Sequence, residues 1–287
     1  MLEQFYCNKR QILKKSQEFF QNSTSLIPKI GCELEFFLLP KRDDVIAELD
    51  AELQKNFSLI YKTEKEQGIN QVEIKTTFTS DLTRLCEELE SAKNFIKNFA
   101  DKKNLIASFA AQPFADDCGS ALQFNISLHD HNDKNLFEFD KFLLTKSAAA
   151  LLEMTNSMMI FLAPKEEDYL RFSREINRDL FKKGKFTAPI NLSFGGDNRT
   201  CAIRIPKLTK RLEYRPAAAD ADSWLCISAI LSAIFYGINH DLVLSQQIYG
   251  NAFDEKYQLK NFCKNLAEAE ENFFCEENFV KKYLLLP

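Results

Sequence analysis

The stretch GSALQFNISLHD, residues 119–130, alternates apolar and polar side chains along most of its length. The apolar positions share one face of an extended strand: Leu122, Phe124, Ile126 and Leu128. The polar positions share the other face: Gln123, Asn125 and Ser127. Because side chains alternate between the two faces of a strand, this pattern predicts a strand with one face in the core. The polar face is then either a solvated sheet surface or the floor of a functional site, and the remaining strands decide between them.

The segments on either side of this strand predict an α+β fold. Strands are predicted over residues 29–40, 57–64, 70–78, 104–114, 119–130, 188–194, 201–206 and 211–217. Helices are predicted over residues 2–21, 43–55, 80–100, 138–163 and 165–181, and through the chain from residue 220 onward. Ser80 is the expected N-cap of the helix over 80–100. Strands that group into hairpin-like pairs and are separated by helices favour an antiparallel sheet backed by helices, in a single domain over residues 1–287.

Charge and composition narrow the class of partner. The 287 residues carry a formal net charge of −4, and lysine and arginine are spread along the chain. Such a chain lacks the basic patch with which proteins bind nucleic acid or an anionic membrane, so small-molecule partners are favoured. Two apolar runs, residues 147–164 and 223–238, are interrupted by polar residues and are shorter than the roughly 20 residues of a membrane span. We predict that both form buried helices.

The eight cysteines indicate a reducing compartment. They form no CxxC pair and show no dense spacing, which favours free thiols in the cytoplasm over a disulfide framework. Cys32 and Cys226 fall on apolar faces and are predicted to be core residues. The N-terminus carries Glu3 and no apolar segment typical of a signal peptide, which also favours a cytoplasmic protein.

Carboxylates recur on or beside the polar faces of several predicted strands. Glu33 and Glu35 share one face of the strand over 29–40, about 7 Å apart. The other three are one residue at a turn and one on each of two further strands: Glu66, Glu73 and Glu213. Glutamate is a poor strand former, and any one of these side chains alone is best explained as a solvated strand residue. If they converge, their repulsion requires protonation, arginine partners or bound cations.

Oxygen ligands and nearby arginines favour a metal–phosphate site at this face. Carboxylates are ligands for Mg²⁺ or Mn²⁺, which commonly bind nucleotide phosphates. Four arginines lie within seventeen residues and suit bidentate binding of phosphate or carboxylate: Arg199, Arg204, Arg211 and Arg215. The alternative is that Arg211 and Arg215 only pair with Glu213, because the three residues share one strand face.

Five segments resemble, in order and spacing, the catalytic-domain motifs of the glutamine synthetase family over about residues 29–240. They are GCELEFF, EQGINQVEI, GSALQFNISL, NRTCAIRIP and RLEYRPAAADADSWLCISAILSAIFYGI. The resemblance implies a curved antiparallel sheet backed by helices, in an α+β domain that forms part of a funnel-shaped site. It further implies a ligase that uses ATP to convert the γ-carboxylate of glutamate into γ-glutamyl phosphate, which ammonia or another amine attacks. The implied partners are ATP, an amino acid, an amine and possible further copies of the chain.

The same resemblance assigns roles to individual residues. It implies one Mg²⁺ or Mn²⁺ bound by Glu35, Glu66 and Glu73, and a second bound by Glu33, Gln123 and Glu213. Gly119 and Arg215 match positions at the substrate. Positions at the nucleotide and its phosphates are matched by Asn125, Ser127, Arg199, Arg204 and Arg211. Arg199 and Arg215 are the implied catalytic residues, because guanidinium groups can neutralise charge that develops on phosphoryl oxygens.

Departures from the family pattern leave two functions open. Gln123 and Asn125 stand where the family has histidines, and Thr187 stands where it has a flap glutamate that acts as a base. The arginine expected before the flap has no match in RDLFKKGKF, and the N-terminal β-grasp domain is expected to be missing. We expect either a ligase for an amine other than ammonia, or a degenerate homologue that binds nucleotide or amino acid or acts through a partner. The histidines match no family ligand and are expected at the surface or in turns: His129, His131 and His240.

Overall fold

The computed structural model describes residues 2–185, 188–240, 242–275 and 278–284. The strands are β1 (Ile27–Leu39), β2 (Ile60–Lys65), β3 (Gln71–Thr76), β4 (Ile106–Ser108), β5 (Leu122–His129), β6 (Phe194–Gly196), β7 (Ile203–Ile205) and β8 (Leu212–Tyr214). The α-helices are α1 (Leu2–Cys7), α2 (Lys9–Thr24), α3 (Ile46–Asn56), α4 (Leu82–Lys102), α5 (Lys141–Leu162), α6 (Arg174–Lys182), α7 (Ser223–Asn239), α8 (Leu266–Phe274) and α9 (Phe279–Leu284). Short 3-10 helices cover Asp43–Val45, Leu136–Glu138, Glu166–Phe172 and Glu255–Tyr257.

One sheet contains these strands, and the long strand β1 lies near its middle. The strand order is β2-β3-β1-β5-β8-β7-β6, and β4 also pairs with β1. Neighbouring strands are antiparallel, except that β6 and β7 run parallel. The register places Glu35 opposite Glu73, and Glu33 opposite both Gln123 and Lys75. Because directly opposed residues point to the same face, the register gathers these polar side chains on one side of the sheet.

The other face of the sheet carries the core. Inward-facing residues of β1 and β5 join one cluster of buried apolar side chains with the helices α2, α4, α5 and α7. Helix α7 is buried along most of its length, which confirms the prediction that its apolar run is a core helix. Its partner α5 is also largely buried, and none of the helices within the described ranges is long and apolar enough to cross a membrane.

The cysteines behave as predicted for reduced thiols. All eight are unpaired, and six of them are buried, including Cys32 and Cys226. Burial raises the pKa of the Cys86 thiol, which lies on the core side of α4, so this group behaves as a small apolar side chain.

Several predicted element boundaries are wrong for identifiable reasons. The N-cap of α4 is Asp81 rather than Ser80, because the Asp81 carboxylate accepts a hydrogen bond from the Arg84 amide. The predicted strand over 104–114 shortens to β4, and the predicted helix over 165–181 divides into a 3-10 helix and α6. Ser173 causes this division, since its hydroxyl accepts from the Ile176 amide and begins the new helix.

The region after β-strand 5 contains two larger differences. The predicted strand over 188–194 is replaced by β6, which starts at Phe194. Pro189 has no amide hydrogen to donate to a neighbouring strand, and the Leu192 amide donates to the carbonyl of Lys260 instead of to a strand of the sheet. The chain after α7 is mainly irregular up to α8, where continued helix was predicted. The Lys260 carbonyl, and the Ile248 amide that donates to the Phe194 carbonyl, bond to the strand-side segment and are unavailable for helical hydrogen bonds.

Candidate active site

Three carboxylates converge at one end of the polar sheet face. Glu35 on β1 lies opposite Glu73 on β3, and Glu66 follows the end of β2. One carboxylate oxygen from each residue lies within 4.8 Å of the other two. Glu35 and Glu73 are only 7% and 2% exposed, so this part of the polar face is not a solvated sheet surface. We call these three residues the acidic triplet.

The acidic triplet carries negative charge that the protein only partly neutralises. Burial, together with the neighbouring Glu66 carboxylate, raises the pKa of Glu35 to about 7. Burial, with the charges of Glu33 and Glu35, raises the pKa of Glu73 to about 9. Lys75 is the cation nearest to Glu73, with Nζ 2.9 Å from its Oε2, but it also lies 2.6 Å from Glu64. Three converging oxygen donors with unbalanced charge fit one hard divalent cation.

Two of the three residues implied for a second metal, Gln123 and Glu213, are instead paired with arginines. Arg215 Nη1 donates to Glu213 Oε1 at 2.9 Å and to Gln123 Oε1 at 2.7 Å. Arg204 Nη1 donates to the other Glu213 oxygen at 2.7 Å. Burial raises the pKa of Glu213, but the charges and hydrogen bonds of Arg215 and Arg204 outweigh it and lower the pKa overall. Arg215 thus pairs with Glu213, as the alternative expects, and it also bonds Gln123, which that alternative does not include.

Asn125 and Arg211 extend this network along the same face. The Asn125 amide donates to Glu33 Oε1 at 3.1 Å and accepts from Arg211 Nε at 2.7 Å. Arg211 also lies 3.8 Å from Glu213 through its Nη2. Because both ends of the Asn125 amide have protein partners, this side chain joins Glu33 to the arginine cluster.

Ser127 lies farther along β5, at the edge of the network. Its hydroxyl contacts the Lys29 carbonyl at 3.5 Å and the ring of His129 at 3.0 Å. His129 is itself the last residue of β5, and its other ring nitrogen contacts the Asp133 carbonyl. The expectation of a surface or turn position is therefore wrong for His129, which is partly buried in the sheet.

Arg199 lies on an exposed loop and lines a cleft over the acidic triplet. The cleft is also lined by Glu35, Glu66, Gly119 and Arg215. Its free volume is about 10 Å³, roughly the space of one water-sized sphere. Thr187, at the position of the family's flap glutamate, lies outside the described residues.

Two buried residues of the site carry no prediction from the sequence. Arg171 is 2% exposed, and its guanidinium donates to the carbonyls of Pro216 at 2.8 Å and Arg215 at 3.1 Å. Burial lowers the pKa of Arg171 to about 10, although the charge of Glu35 opposes this effect. Gln71 donates to Glu35 Oε2 at 3.3 Å and to the Gly119 carbonyl at 3.0 Å. Its spacing of two residues from Glu73 is the signal that places it on the same face, whereas Arg171 follows no such pattern.

Gly119 is fixed by close packing, and its replacement is a direct test of the site's geometry. A Cβ atom at this position meets the Ala111 carbonyl oxygen at 2.7 Å and Arg171 Cγ at 2.8 Å. We expect Gly119→Ala to lower the free energy of unfolding by about 2 kcal/mol, because backbone and a buried arginine have to shift. Urea unfolding measures the loss. Gly196→Ala is the matched control, since its nearest neighbour is the end of the flexible Gln247 side chain at 3.3 Å. Equal stabilities of the two variants would contradict this packing role.

Comparisons with known proteins agree with this architecture. The family model for the glutamine synthetase catalytic domain matches residues 41–285. Gamma-glutamylputrescine synthetase PuuA of Escherichia coli (strain K12) is 29% identical over 248 residues, covering 84% of this chain and 50% of that protein. Glutamate–methylamine ligase of Methyloversatilis universalis is 31% identical over 191 residues, covering 64% of this chain and 41% of that protein. The chain thus spans about half the length of the curated relatives it matches.

A solved structure shows the same fold at low sequence identity. The complex of GmaS with ADP superposes with a TM-score of 0.85 at 23% identity, covering 96% of this chain and 70% of that one. This similarity confirms the predicted α+β class, with the difference that one strand pair at the sheet edge is parallel. From the family match over most of its length, together with this fold, the chain belongs to the glutamine synthetase catalytic-domain family.

Proposed function

We propose that this chain is an ATP-dependent and Mg²⁺- or Mn²⁺-dependent ligase that joins glutamate, or a similar carboxylate, to an amine. The observation that supports this most directly is that Glu35 and Glu66 of the acidic triplet line one cleft with Arg215, whose guanidinium group is paired with Glu213. Carboxylates can bind the metal ion of a metal–nucleotide complex, and neighbouring guanidinium groups can bind the anionic oxygens of the transferred phosphoryl group. The names of two relatives, a glutamylputrescine synthetase and a methylamine ligase, favour an organic amine over ammonia.

The proposed reaction has two steps. The γ-carboxylate of the amino acid attacks the terminal phosphorus of ATP, the bond to ADP breaks, and an acyl phosphate forms. The amine then attacks the carbonyl carbon, loses a proton and releases inorganic phosphate. A divalent cation at the acidic triplet would neutralise phosphate charge when bound.

The chain's own residues supply orientation and fixed positive charge. Glu213 fixes the guanidinium groups of Arg204 and Arg215, so both are positioned without a reorganisation cost when charge develops on phosphoryl oxygens. The guanidinium group of Arg171 donates a hydrogen bond to the backbone carbonyl of Arg215 and so helps to hold that residue in position. Gly119, which matches a family position next to the substrate, lines the cleft with Glu35 and Glu66. Since position 187 is a threonine, the proton of the amine has to leave through another group or solvent.

The free thiols and the net charge of −4 support a cytoplasmic location with small-molecule partners. Assembly into a homo-oligomer, and the single-domain organisation over residues 1–287, stay predictions.

The proposed ligase activity is tested by nucleotide binding and phosphate release. Calorimetry with ATP should give binding only when Mg²⁺ or Mn²⁺ is present, because the cation joins the carboxylates to the phosphates. Glutamate with an amine panel of ammonia, methylamine, isopropylamine and putrescine should then stimulate release of phosphate. Glu66→Gln is the inactive control, since it removes one ligand charge without changing size. Absence of metal-dependent ATP binding would contradict the proposal.

A degenerate homologue that binds nucleotide or amino acid without turnover is the second candidate. The observation in its favour is that Gln123 and both oxygens of Glu213 are already occupied by Arg215 and Arg204. Metal-dependent ATP binding without phosphate release, for every amine in the panel, would favour this candidate over the ligase.

A further inference from the structure

The two sets of residues implied as metal ligands differ in how their charge is balanced. In the acidic triplet three carboxylates face one another, and Lys75 is the ammonium group paired with one of them. In the second set, Glu33, Gln123 and Glu213 supply two carboxylates. Three guanidinium groups lie within 4 Å of Glu213, those of Arg204, Arg211 and Arg215, whereas Glu33 accepts a hydrogen bond from the Asn125 amide. Lys75 is also the residue opposite Glu33 in the β1–β3 register. A divalent cation therefore relieves repulsion at the first set, whereas at the second it would lie against three guanidinium groups that already neutralise Glu213.

The orientation of the Gln123 amide also disfavours a cation at the second set. Its nitrogen donates to Glu35 Oε1 at 2.8 Å, and its oxygen accepts from Arg215 at 2.7 Å. The reversed amide would point its NH₂ group at a guanidinium and its oxygen at a carboxylate, which leaves both contacts repulsive. The carbonyl oxygen, which is the only metal-binding atom of this side chain, is thus already used by Arg215.

Glu213 is occupied in the same way. Its two oxygens accept hydrogen bonds from different arginines, at 2.7 Å and 2.9 Å, and the side chain is 2% exposed. Metal binding by Glu213 would require at least one of these buried ion pairs to break. Breaking a buried pair is costly because it leaves a desolvated charge without its partner.

We propose that this chain binds one divalent cation, at the acidic triplet, and that the guanidinium groups of Arg204 and Arg215 occupy the place of a second. This inference rests on the proposed function, because it takes the acidic triplet as a metal site. The residues that carry it are Gln123, whose amide replaces an imidazole, and the arginine pair that holds Glu213. Fixed side chains then provide, around Glu213, the positive charge that the family resemblance assigns to a metal.

The test is a count of Mn²⁺ ions per chain, made without nucleotide so that protein ligands alone bind them. Calorimetry gives the stoichiometry, and the electron paramagnetic resonance signal of free Mn²⁺ gives it independently. We expect one equivalent for the wild-type chain and none for Glu66→Gln in the same concentration range. Two equivalents in the wild type would overturn the inference and leave the proposed ligase function intact. No bound Mn²⁺ would overturn the inference and the metal site of the proposed function together.

A second variant tests whether Arg204 and Gln123 are the reason for the missing ion. In Gln123→His combined with Arg204→Met, an imidazole replaces the amide and one oxygen of Glu213 is released. We expect this variant to bind a second, weaker Mn²⁺ ion. Its circular dichroism spectrum and thermal midpoint establish that it is folded. A folded variant that still binds one ion would overturn the assignment of the replacement to these two residues. Loss of the wild-type ion in Glu33→Gln, with its retention in Glu66→Gln, would place the ion at the second set and overturn the inference itself.

Discussion

Replacement of Arg171 by methionine is expected to lower the free energy of unfolding by about 3 kcal/mol, which for a chain of 287 residues corresponds to a fall of roughly 5 °C in the thermal midpoint. The guanidinium is buried and donates to two backbone carbonyls, those of Pro216 and Arg215. Methionine fills a similar volume but offers no donor, so both carbonyls lose a buried hydrogen-bond partner. The nearby Glu35 carboxylate also loses a compensating positive charge.

The matched control for this change is Arg178→Met. Arg178 also donates to a backbone carbonyl, that of Phe253 at 3.1 Å, and to Glu255 at 3.0 Å, but its side chain is 35% exposed. Water can replace the lost donor there, and we expect a loss of less than about 1 kcal/mol. Chemical denaturation of both variants measures the difference. If Arg171→Met unfolds at the same denaturant concentration as Arg178→Met, the buried guanidinium does not support the site as described.

The central part of the fold follows from local patterns in the sequence. Alternation in the segments that become β1, β3 and β5 is strong, because one face of each strand packs on helices and the other carries polar groups. Register, however, is a property of strand pairs. The pairing of Glu35 with Glu73 becomes visible only when the two strands are aligned, and the short strand β6 depends on a parallel partner that no local pattern indicates.

In the candidate site, too, some features can be predicted from the sequence and others depend on tertiary packing. The family resemblance groups Glu35, Glu66 and Glu73, and their carboxylate oxygens do lie within 4.8 Å of one another. It does not predict that Arg215 bonds both Gln123 and Glu213, because this geometry depends on how β8 docks beside β5. Arg171 escapes prediction for a further reason. It lies on a 3-10 helix with no repeating pattern, and its buried state follows from tertiary packing alone.

Replacement of Glu66 by glutamine is expected to weaken Mn²⁺ binding roughly 100-fold or more, since even residues that only support a metal ligand typically contribute 10- to 100-fold. Glu66 is the member of the acidic triplet whose substitution disturbs the fewest other contacts. Glu35 accepts hydrogen bonds from Gln123 and the Ala121 amide, and Glu73 pairs with Lys75, whereas Glu66 Oε2 accepts from the adjacent Gln67 amide. The variant therefore removes a ligand charge and leaves the buried network in place. Isothermal titration with Mn²⁺ measures the change.

Glu64→Gln is the control for charge alone, because Glu64 lies on the neighbouring β2 strand and pairs with Lys62 and Lys75 instead of joining the acidic triplet. We expect its Mn²⁺ affinity to change only a few-fold, and equal losses in the two variants would contradict direct binding by Glu66.

The thermal stability of the metal-free protein should rise in Glu66→Gln, although its Mn²⁺ affinity falls. Glu66 helps to raise the pKa of Glu35 to about 7 in the folded state, and a carboxyl with a raised pKa destabilises the fold as pH rises from the unfolded value towards 7. At pH 8 metal-free Glu66→Gln should therefore melt about 2 °C above the wild type, with the gap closing near pH 5. A site that loses metal affinity while gaining stability is one whose carboxylates are held together for binding rather than for folding.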